Sequence, residues 1–428
     1  MNVLLVGGGG REHALAWKIA QSPLVEHQWA APGNPGIARH ARCLDLAVDD
    51  ADGLAGFAVG HEVDLVVVGP EQPLVGGLAD QLRNRGLAVF GPGQRAAAIE
   101  GSKAFSKRLM AEHGIPTARF ATFDDPAAAR RCCRELGAPC VVKTDGLAAG
   151  KGAIVCATLE EADAAIAQCM DRREFGAAGA RVVVEEFMRG EEASFFVLAG
   201  AGGVLPLAAA QDHKTVFDGD RGPNTGGMGA FVPVATVDGP VYARVMRQIV
   251  EPTLAALAAG GAPYTGVLYV GLMLTAEGPK VIEFNCRFGD PECQPLMMHM
   301  RDDLVPLLAA VARGEKLPAP RPWANAGRAA VCVAVASGGY PGRYTTGHEI
   351  SGIEAAEARP GVQVFQAGTA RREGRLVTAG GRVLGVTAVA DDLTAAIAAA
   401  YESVSHIRFE GMHYRTDIGR RVLEVRAT

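Results

Sequence analysis

Glu283, Asn285 and Arg287 stand at alternate positions of Val281-Ile282-Glu283-Phe284-Asn285-Cys286-Arg287-Phe288-Gly289-Asp290-Pro291-Glu292, an apolar run that ends in a glycine-proline turn. On a strand, alternate side chains share one face. A carboxylate and an amide oxygen on that face suit a hard cation such as Mg²⁺, and the guanidinium beyond them suits the phosphate that such a cation accompanies. The implied chemistry is phosphoryl transfer. By itself the pattern also fits the solvated face of an edge strand, so the surrounding elements have to decide.

The N-terminus supplies a short apolar run, residues 2–6, then Gly7-Gly8-Gly9-Gly10 and a helical pattern over residues 11–21, the first half of a βαβ unit. Strand-like runs at 65–68 and 88–90 both open into Gly-Pro, as ligand loops at the carboxyl ends of parallel strands do. A dinucleotide fingerprint fails on spacing. Started at Gly7 it needs a third glycine where Glu12 stands, and started at Gly8, where His13 stands. The second predicted strand, 28–31, also lacks a terminal acid for a ribose. The turn, with Gly9, Arg11 and His13, suits instead a single phosphate monoester at a helix start, although such a turn also serves close helix-on-sheet packing.

The middle of the chain predicts a helix over 103–113, a second over 126–136, and a strand at 140–144 carrying Lys143 into Asp145-Gly146-Leu147-Ala148-Ala149-Gly150-Lys151-Gly152. This is not a P-loop: three residues, not four, separate Gly146 from Gly150, and Gly152 replaces the Ser or Thr that would bind Mg²⁺. Two readings remain, a glycine flap closing over a triphosphate that Lys143 and Lys103 neutralise, and a surface loop with solvated lysines. Residues 181–188 read as a strand ending in a linker (Glu185, Glu186, Phe187, Met188) whose backbone can pair with an adenine. Taken singly, Glu185 and Glu186 read as solvated charges. Glu192 follows where a carboxylate could meet a ribose. After a strand at 204–210, Gln211-Asp212-His213-Lys214 and residues 222–229 are too rich in turn residues for a regular element and read as an active-site loop. Residues 314–326 read as a linker, followed by a strand at 329–336 and a helix at 393–405 in a small α/β module.

At 428 residues the chain is expected to form two to four subdomains. An apolar fraction of 49% with 54 glycines and 6% aromatics describes a globular α/β enzyme. The net charge of -5 gives no reason to expect nucleic acid or an anionic membrane as partner. Nine cysteines without a Cys-x-x-Cys pair, no membrane-length apolar run and no secretory h-region point to reduced thiols and a cytoplasmic location.

With these pieces in order, the chain resembles the ATP-grasp superfamily and, within it, closely resembles the phosphoribosylamine–glycine ligase (glycinamide ribonucleotide synthetase) family. The likeness rests on RFGDPECQ from Arg287, GGGGREHALAW from Gly7, APGNPG from Ala31, GPEQPLV from Gly69, EGSKAF from Glu100, DGLAAGKG from Asp145, EEFMRGEEAS from Glu185, QDHK from Gln211 and GPNTGGMGA from Gly222. ASGGYPG from Ala336 and GMHYRTDIG from Gly411 extend it over nearly the whole chain.

The resemblance implies a parallel-sheet N-terminal domain (1–101), an ATP-grasp domain (102–318) with a mobile lid (about 118–190), and a small α/β C-terminal domain (325–428). It implies ATP-dependent ligation of glycine to 5-phosphoribosylamine through glycyl phosphate. Glu283 and Asn285 would hold Mg²⁺ or Mn²⁺. Lys103, Lys143, Gly150, Gly152, the 185–188 linker and Glu192 would hold ATP, with Arg287 stabilising the transferring group. Asp212, Lys214, Asn224 and Gly226 are the glycine candidates, and Gly9, Arg11, His13, Asn34 and Glu71 the phosphoribosyl candidates. A monomer, or at most a weak dimer, is the expected state. Two departures stand out. The strand at 268–274 lacks the metal-binding carboxylate that many ATP-grasp enzymes place there, and Cys293 stands where a small polar residue is expected. The alternatives are an ATP-grasp carboxylase acting on a purine precursor and a non-catalytic nucleotide-binding regulator, which would be expected to lose Glu283, Asn285 or Arg287.

Overall fold

The computed structural model describes residues 1–148, 150–319, 327–420 and Leu423; Ala149 of the glycine flap, residues 320–326 of the expected linker and the last residues of the C-terminal region lie outside the described residues.

The N-terminal region forms a five-stranded, wholly parallel sheet. Asn2–Gly7 lies at its centre, flanked by His27–Pro32 and Arg42–Cys43 on one side and by Leu65–Val68 and Val89–Phe90 on the other. Val3 to Val6 are fully buried, as expected for a parallel strand covered on both faces. The chain order reverses beside this central strand, so the loops after Gly7 and Val68 open at one switch point.

A second, antiparallel sheet runs Phe120–Phe123, Val182–Glu186, Cys140–Thr144, Ala153–Cys156, with the helices Pro126–Leu136 and Leu159–Ile166 packed on it. It encloses its own apolar cluster, including Cys133, Cys140, Cys156, Ile166 and Val184. A third sheet, Gly203–Pro206, Glu191–Gly200, Gly266–Thr275, Gly278–Asn285, puts the Glu283-Asn285 strand on its edge. A bulge opposite Gly271 and Leu272 leaves Ile282 out of the ladder, and the Ile282 carbonyl accepts Lys143 Nζ at 3.0 Å.

The fourth sheet joins the two halves of the chain. Gln211–Asp212 and Gly229–Val232 pair through Ala329–Ser337 with Arg382–Ala390 and Val362–Gln366, and the helix Leu393–Val404 packs on it. Residues 211–214 and 222–229, read from sequence as an active-site loop, thus open on one strand of the C-terminal sheet, Gln211–Asp212, and end at the start of another, Gly229–Val232. Between them stands a hairpin of Thr215–Phe217 and Arg221–Asn224. Glycine-rich sequence concealed that hairpin: Gly219 and Gly222 take positive φ, which glycine adopts without strain. All nine cysteines are unpaired. No helix among the described residues is long and apolar enough to cross a membrane.

Candidate active site

A cavity of about 360 Å³ opens where the four sheets converge. Of the residues singled out from sequence, all line it except Gly9, His13 and Asn34.

At the end formed by the second sheet, Glu185 is 2% exposed and pairs with Lys107 at 3.0 Å and Lys143 at 3.1 Å. It is a buried counter-ion and not a solvated charge. Burial pushes the Lys107 ammonium down to about 8, with Glu185 opposing. Lys107 lies one turn beyond Lys103 on the helix Lys103–Glu112, and sequence reading passed over it. Spacing of i and i+4 could have flagged that it shares Lys103's face. Glu186 turns outward to Arg119, at 2.6 Å. Phe187 and Met188 then line the cavity wall.

Lys103 begins its helix because Ser102 caps it, accepting from Phe105 N at 3.1 Å, while Asp145 accepts from Ala104 N at 3.0 Å. Lys103 Nζ donates to Gly146 O at 2.9 Å, fixing the root of the glycine flap over the cavity. Burial lowers the Lys103 pKa, with Glu283 opposing. Burial alone would raise the Glu283 carboxyl, but Lys214, Lys143, Lys103 and Arg287 outweigh it and keep the group ionised. Arg287 is gripped by Glu100 at 3.1 Å and Glu71 at 3.3 Å, and its Nη2 lies 3.4 Å from Asn285 Oδ1. Glu100, missed from sequence, also accepts Cys286 N at 2.7 Å. These bonds fix the guanidinium before any ligand arrives.

Beyond Glu283 lies an acidic corner. Burial, then Glu292, Glu192 and Glu283, drive the Asp212 carboxyl up to about 7, against the pull of Lys214. Lys214 is itself paired with Glu192, so Glu192 arrives with a cation already on it. Ser194 Oγ bridges Tyr269 OH at 3.0 Å and Glu292 Oε1 at 3.1 Å. The strand at 268–274 thus brings Tyr269 to the site, and the turn before the helix Cys293–His299 brings Glu292. Arg382, from the C-terminal sheet, pairs with Asp290 at 3.4 Å and completes the wall. Nothing near its place in the sequence marked it.

The N-terminal turn differs from expectation. Glu12 reaches back to accept Gly9 N at 2.7 Å, and a Cβ at Gly7, Gly9 or Gly69 would come within 2.8 Å of its side chain. The protein's own carboxylate thus occupies the seat where the turn suited a phosphate. Arg11 pairs with Glu12 at 2.6 Å and approaches Glu71 at 3.8 Å, on the cavity wall. Asn34 ties loops together, donating to Gly8 O and Gln366 O and accepting from Gly36 N and Ile37 N. His13 is fully buried away from the cavity, with Nδ1 accepting Gln366 N at 2.7 Å. Cys293 is buried too, with Sγ 3.8 Å from Arg11 O, a packing position.

His13 gives a prediction. Burial pushes its pKa down to about 3, against about 6.5 when unfolded. Between those values the unfolded chain binds the extra proton, so stability is lost as pH falls below about 6, by up to about 1.4 kcal/mol per pH unit. Urea midpoints measured from pH 7 to 4.5 should fall less steeply for His13→Gln than for the wild type; equal slopes would contradict the assignment.

The donor set fits a hard divalent cation. Nine carboxylates line the cavity against seven lysines and arginines, and Glu283 and Asn285 offer oxygens from one strand face. Among the described residues no group of three His, Cys, Asp or Glu would hold a metal unaided. The ion would therefore draw its remaining ligands from phosphate and water oxygens, as Mg²⁺ commonly does.

Comparison with known proteins agrees with this geometry. Residues 1–100, 101–293 and 330–421 match, in turn, the N domain, the ATP-grasp (A) domain and the C domain of phosphoribosylglycinamide synthetase. The phosphoribosylamine–glycine ligase of Brucella melitensis is 50% identical over 424 residues, covering 99% of each chain. The crystal structure of the Thermotoga maritima phosphoribosylamine–glycine ligase superposes with a TM-score of 0.85 at 31% identity, over 98% of this chain and 100% of that one. The biotin carboxylase domain of Hydrogenobacter thermophilus 2-oxoglutarate carboxylase shares the fold alone, with a TM-score of 0.73 at 17% identity over 96% and 91%. ATP-grasp enzymes use ATP and divalent metal ions generally. With its N, ATP-grasp and C domains matched in order and half its residues shared with a full-length relative, this chain belongs to the phosphoribosylglycinamide synthetase family.

Proposed function

We infer that the chain is a carbon–nitrogen ligase that joins glycine to 5-phosphoribosylamine at the expense of ATP, giving glycinamide ribonucleotide, ADP and phosphate in purine biosynthesis. The observation that carries this is the convergence of all the matched domains on one cavity, through Arg11 and Glu71, Lys143 and Glu283, and Arg382.

A carboxylate has no leaving group, so a glycine oxygen first attacks the γ-phosphorus and ADP departs. The ribosylamine nitrogen then attacks the carbonyl carbon of glycyl phosphate, the C–N bond forms, and phosphate leaves with that glycine oxygen. The linker from Glu185 to Met188 receives the adenine, and Lys103 and Lys143 screen the phosphates. Arg287, held rigid by Glu71 and Glu100, faces the charge that develops on the transferring group. Asp212 is short of a counter-charge, and the glycine ammonium supplies one. Mg²⁺ or Mn²⁺ held by Glu283 and Asn285 would neutralise charge on the phosphates and orient them for transfer. Arg11 and Glu71 border the phosphoribosyl end. Action in the reducing cytoplasm fits the unpaired cysteines, and the reading takes the chain as a monomer.

The test is ADP release with Mg²⁺, ATP and freshly generated phosphoribosylamine, comparing glycine with alanine, serine and bicarbonate. Release should require both glycine and the ribosylamine. Release driven by bicarbonate would assign the chain to the carboxylases instead.

A further inference from the structure

The Ala336-Ser337-Gly338-Gly339-Tyr340-Pro341-Gly342 segment follows the central strand of the C-terminal sheet, outside the machinery described above. It nevertheless touches both the glycine flap and the 225–227 loop of the site. Tyr340 OH accepts from Gly226 N at 3.0 Å, and so holds residues 225–227, the loop beside Asp212 and Lys214. From the flap, Lys151 Nζ donates to Pro341 O at 2.8 Å and lies 6.0 Å from the centre of the Tyr340 ring.

Flap and loop also meet directly. A Cβ at Gly150 would stand 3.0 Å from Thr225 O, and Asn224 Nδ2 donates to Ala153 O at 3.3 Å. The loop is also tied down by Arg382, whose Nη1 donates to Gly226 O at 2.6 Å and Gly227 O at 3.2 Å, and at its two ends by Thr225 N on Lys214 O and Met228 N on His213 O, both at 2.7 Å. The Tyr340 ring in turn sits over Gly381, where a Cβ would come within 2.3 Å of ring carbon Cδ2.

We propose that Tyr340 is a positioning residue for this reaction, a latch through which closure of the ATP flap orders the 225–227 loop and so prepares the amino-acid site. The proposal rests on the functional reading above for what each site binds, but the contacts are independent of it. Without the hydroxyl, Gly226 N loses a partner and the loop loosens, while the ring still receives Lys151. Binding a nucleotide then stabilises the amino-acid side less, through the direct contacts of flap and loop alone. The coupling is an energy shared between two sites through one identified element.

Hydrogen exchange followed by mass spectrometry on the full chain, with Mg²⁺ and a non-hydrolysable ATP analogue, tests the latch without any turnover. In the wild type the analogue should slow exchange in peptides covering both 145–152 and 222–229. In Tyr340→Phe it should protect the flap and leave 222–229 exchanging about tenfold faster, with the strand Ala329–Ser337 unchanged. Gly381→Ala, which displaces the ring, should reproduce the effect and also weaken flap protection. Equal protection of 222–229 in wild type and both variants would overturn the proposal. In steady state, Tyr340→Phe should raise KM for glycine about fivefold or more with KM for ATP and kcat within twofold; a fall in kcat alone would also overturn it. A wild type that shows the exchange pattern but no glycine-dependent ADP release would refute the functional reading and leave the latch standing.

Discussion

Glu283→Gln and Arg287→Ala each lower turnover by about 10²–10³-fold or more in chains that still fold. Glu283 is held ionised inside the cavity by four surrounding cations, and it is one of two oxygen donors on the strand that would carry the metal. A glutamine amide in its place would match its shape and lack its charge, so the loss falls on catalysis and nucleotide affinity. Preorganised electrostatic groups of this kind are each worth roughly 10²–10³ in rate. Arg287→Ala removes the cation between Glu71 and Glu100. Glu100, whose carboxyl burial already pushes upward, then takes a proton, which keeps the structural cost tolerable. ADP release combined with thermal unfolding checks both. Near-normal activity in either variant would remove the metal and phosphate assignments.

Glu185→Gln has its largest effect on stability. Lys107 and Lys143 are both about as buried as Glu185, so removing the carboxylate strands two ammonium groups away from water. Breaking a buried pair from one side typically costs about 3–5 kcal/mol. The lid has its own apolar cluster, so the loss should appear as early unfolding of Phe120–Glu186 ahead of the parallel sheet. Adding Lys107→Met to Glu185→Gln should restore about half of it, because one of the two stranded charges disappears while Lys143 remains. Urea denaturation monitored by exchange in lid peptides checks this; a loss below about 1 kcal/mol would mean that water reaches these groups.

Much of the site was legible because its residue types are chemically specific. Glu283, Asn285 and Arg287 on one strand face, and Lys143 leading a glycine-rich loop, suggest phosphoryl chemistry by residue type, and the structure decides for it over the solvated reading by bringing them to one cavity. Glu185 was misread as solvated because only packing shows that two lysines enclose it. His13 and Asn34 looked like ligands beside a glycine turn, yet both satisfy backbone groups of the C-terminal region more than 300 residues away in sequence. Glu12 read only as a failed glycine, although it fills the anion seat. Arg382 carried no local signal and Tyr340 only its place in ASGGYPG, because their roles come from a sheet that joins Gln211–Asp212 and Gly229–Val232 to the C-terminal strands. Parallel strands were read from continuous apolar runs, whereas a hairpin built on Gly219 and Gly222 defied composition.

The central claim is that glycine is activated as an acyl phosphate inside this cavity. Turnover of glycine carrying ¹⁸O in both carboxyl oxygens, with mass analysis of the phosphate released, tests it most directly. The mechanism predicts one ¹⁸O in each phosphate and the other in the product amide. Unlabelled phosphate would mean that ATP is cleaved without activating glycine, and would contradict the account.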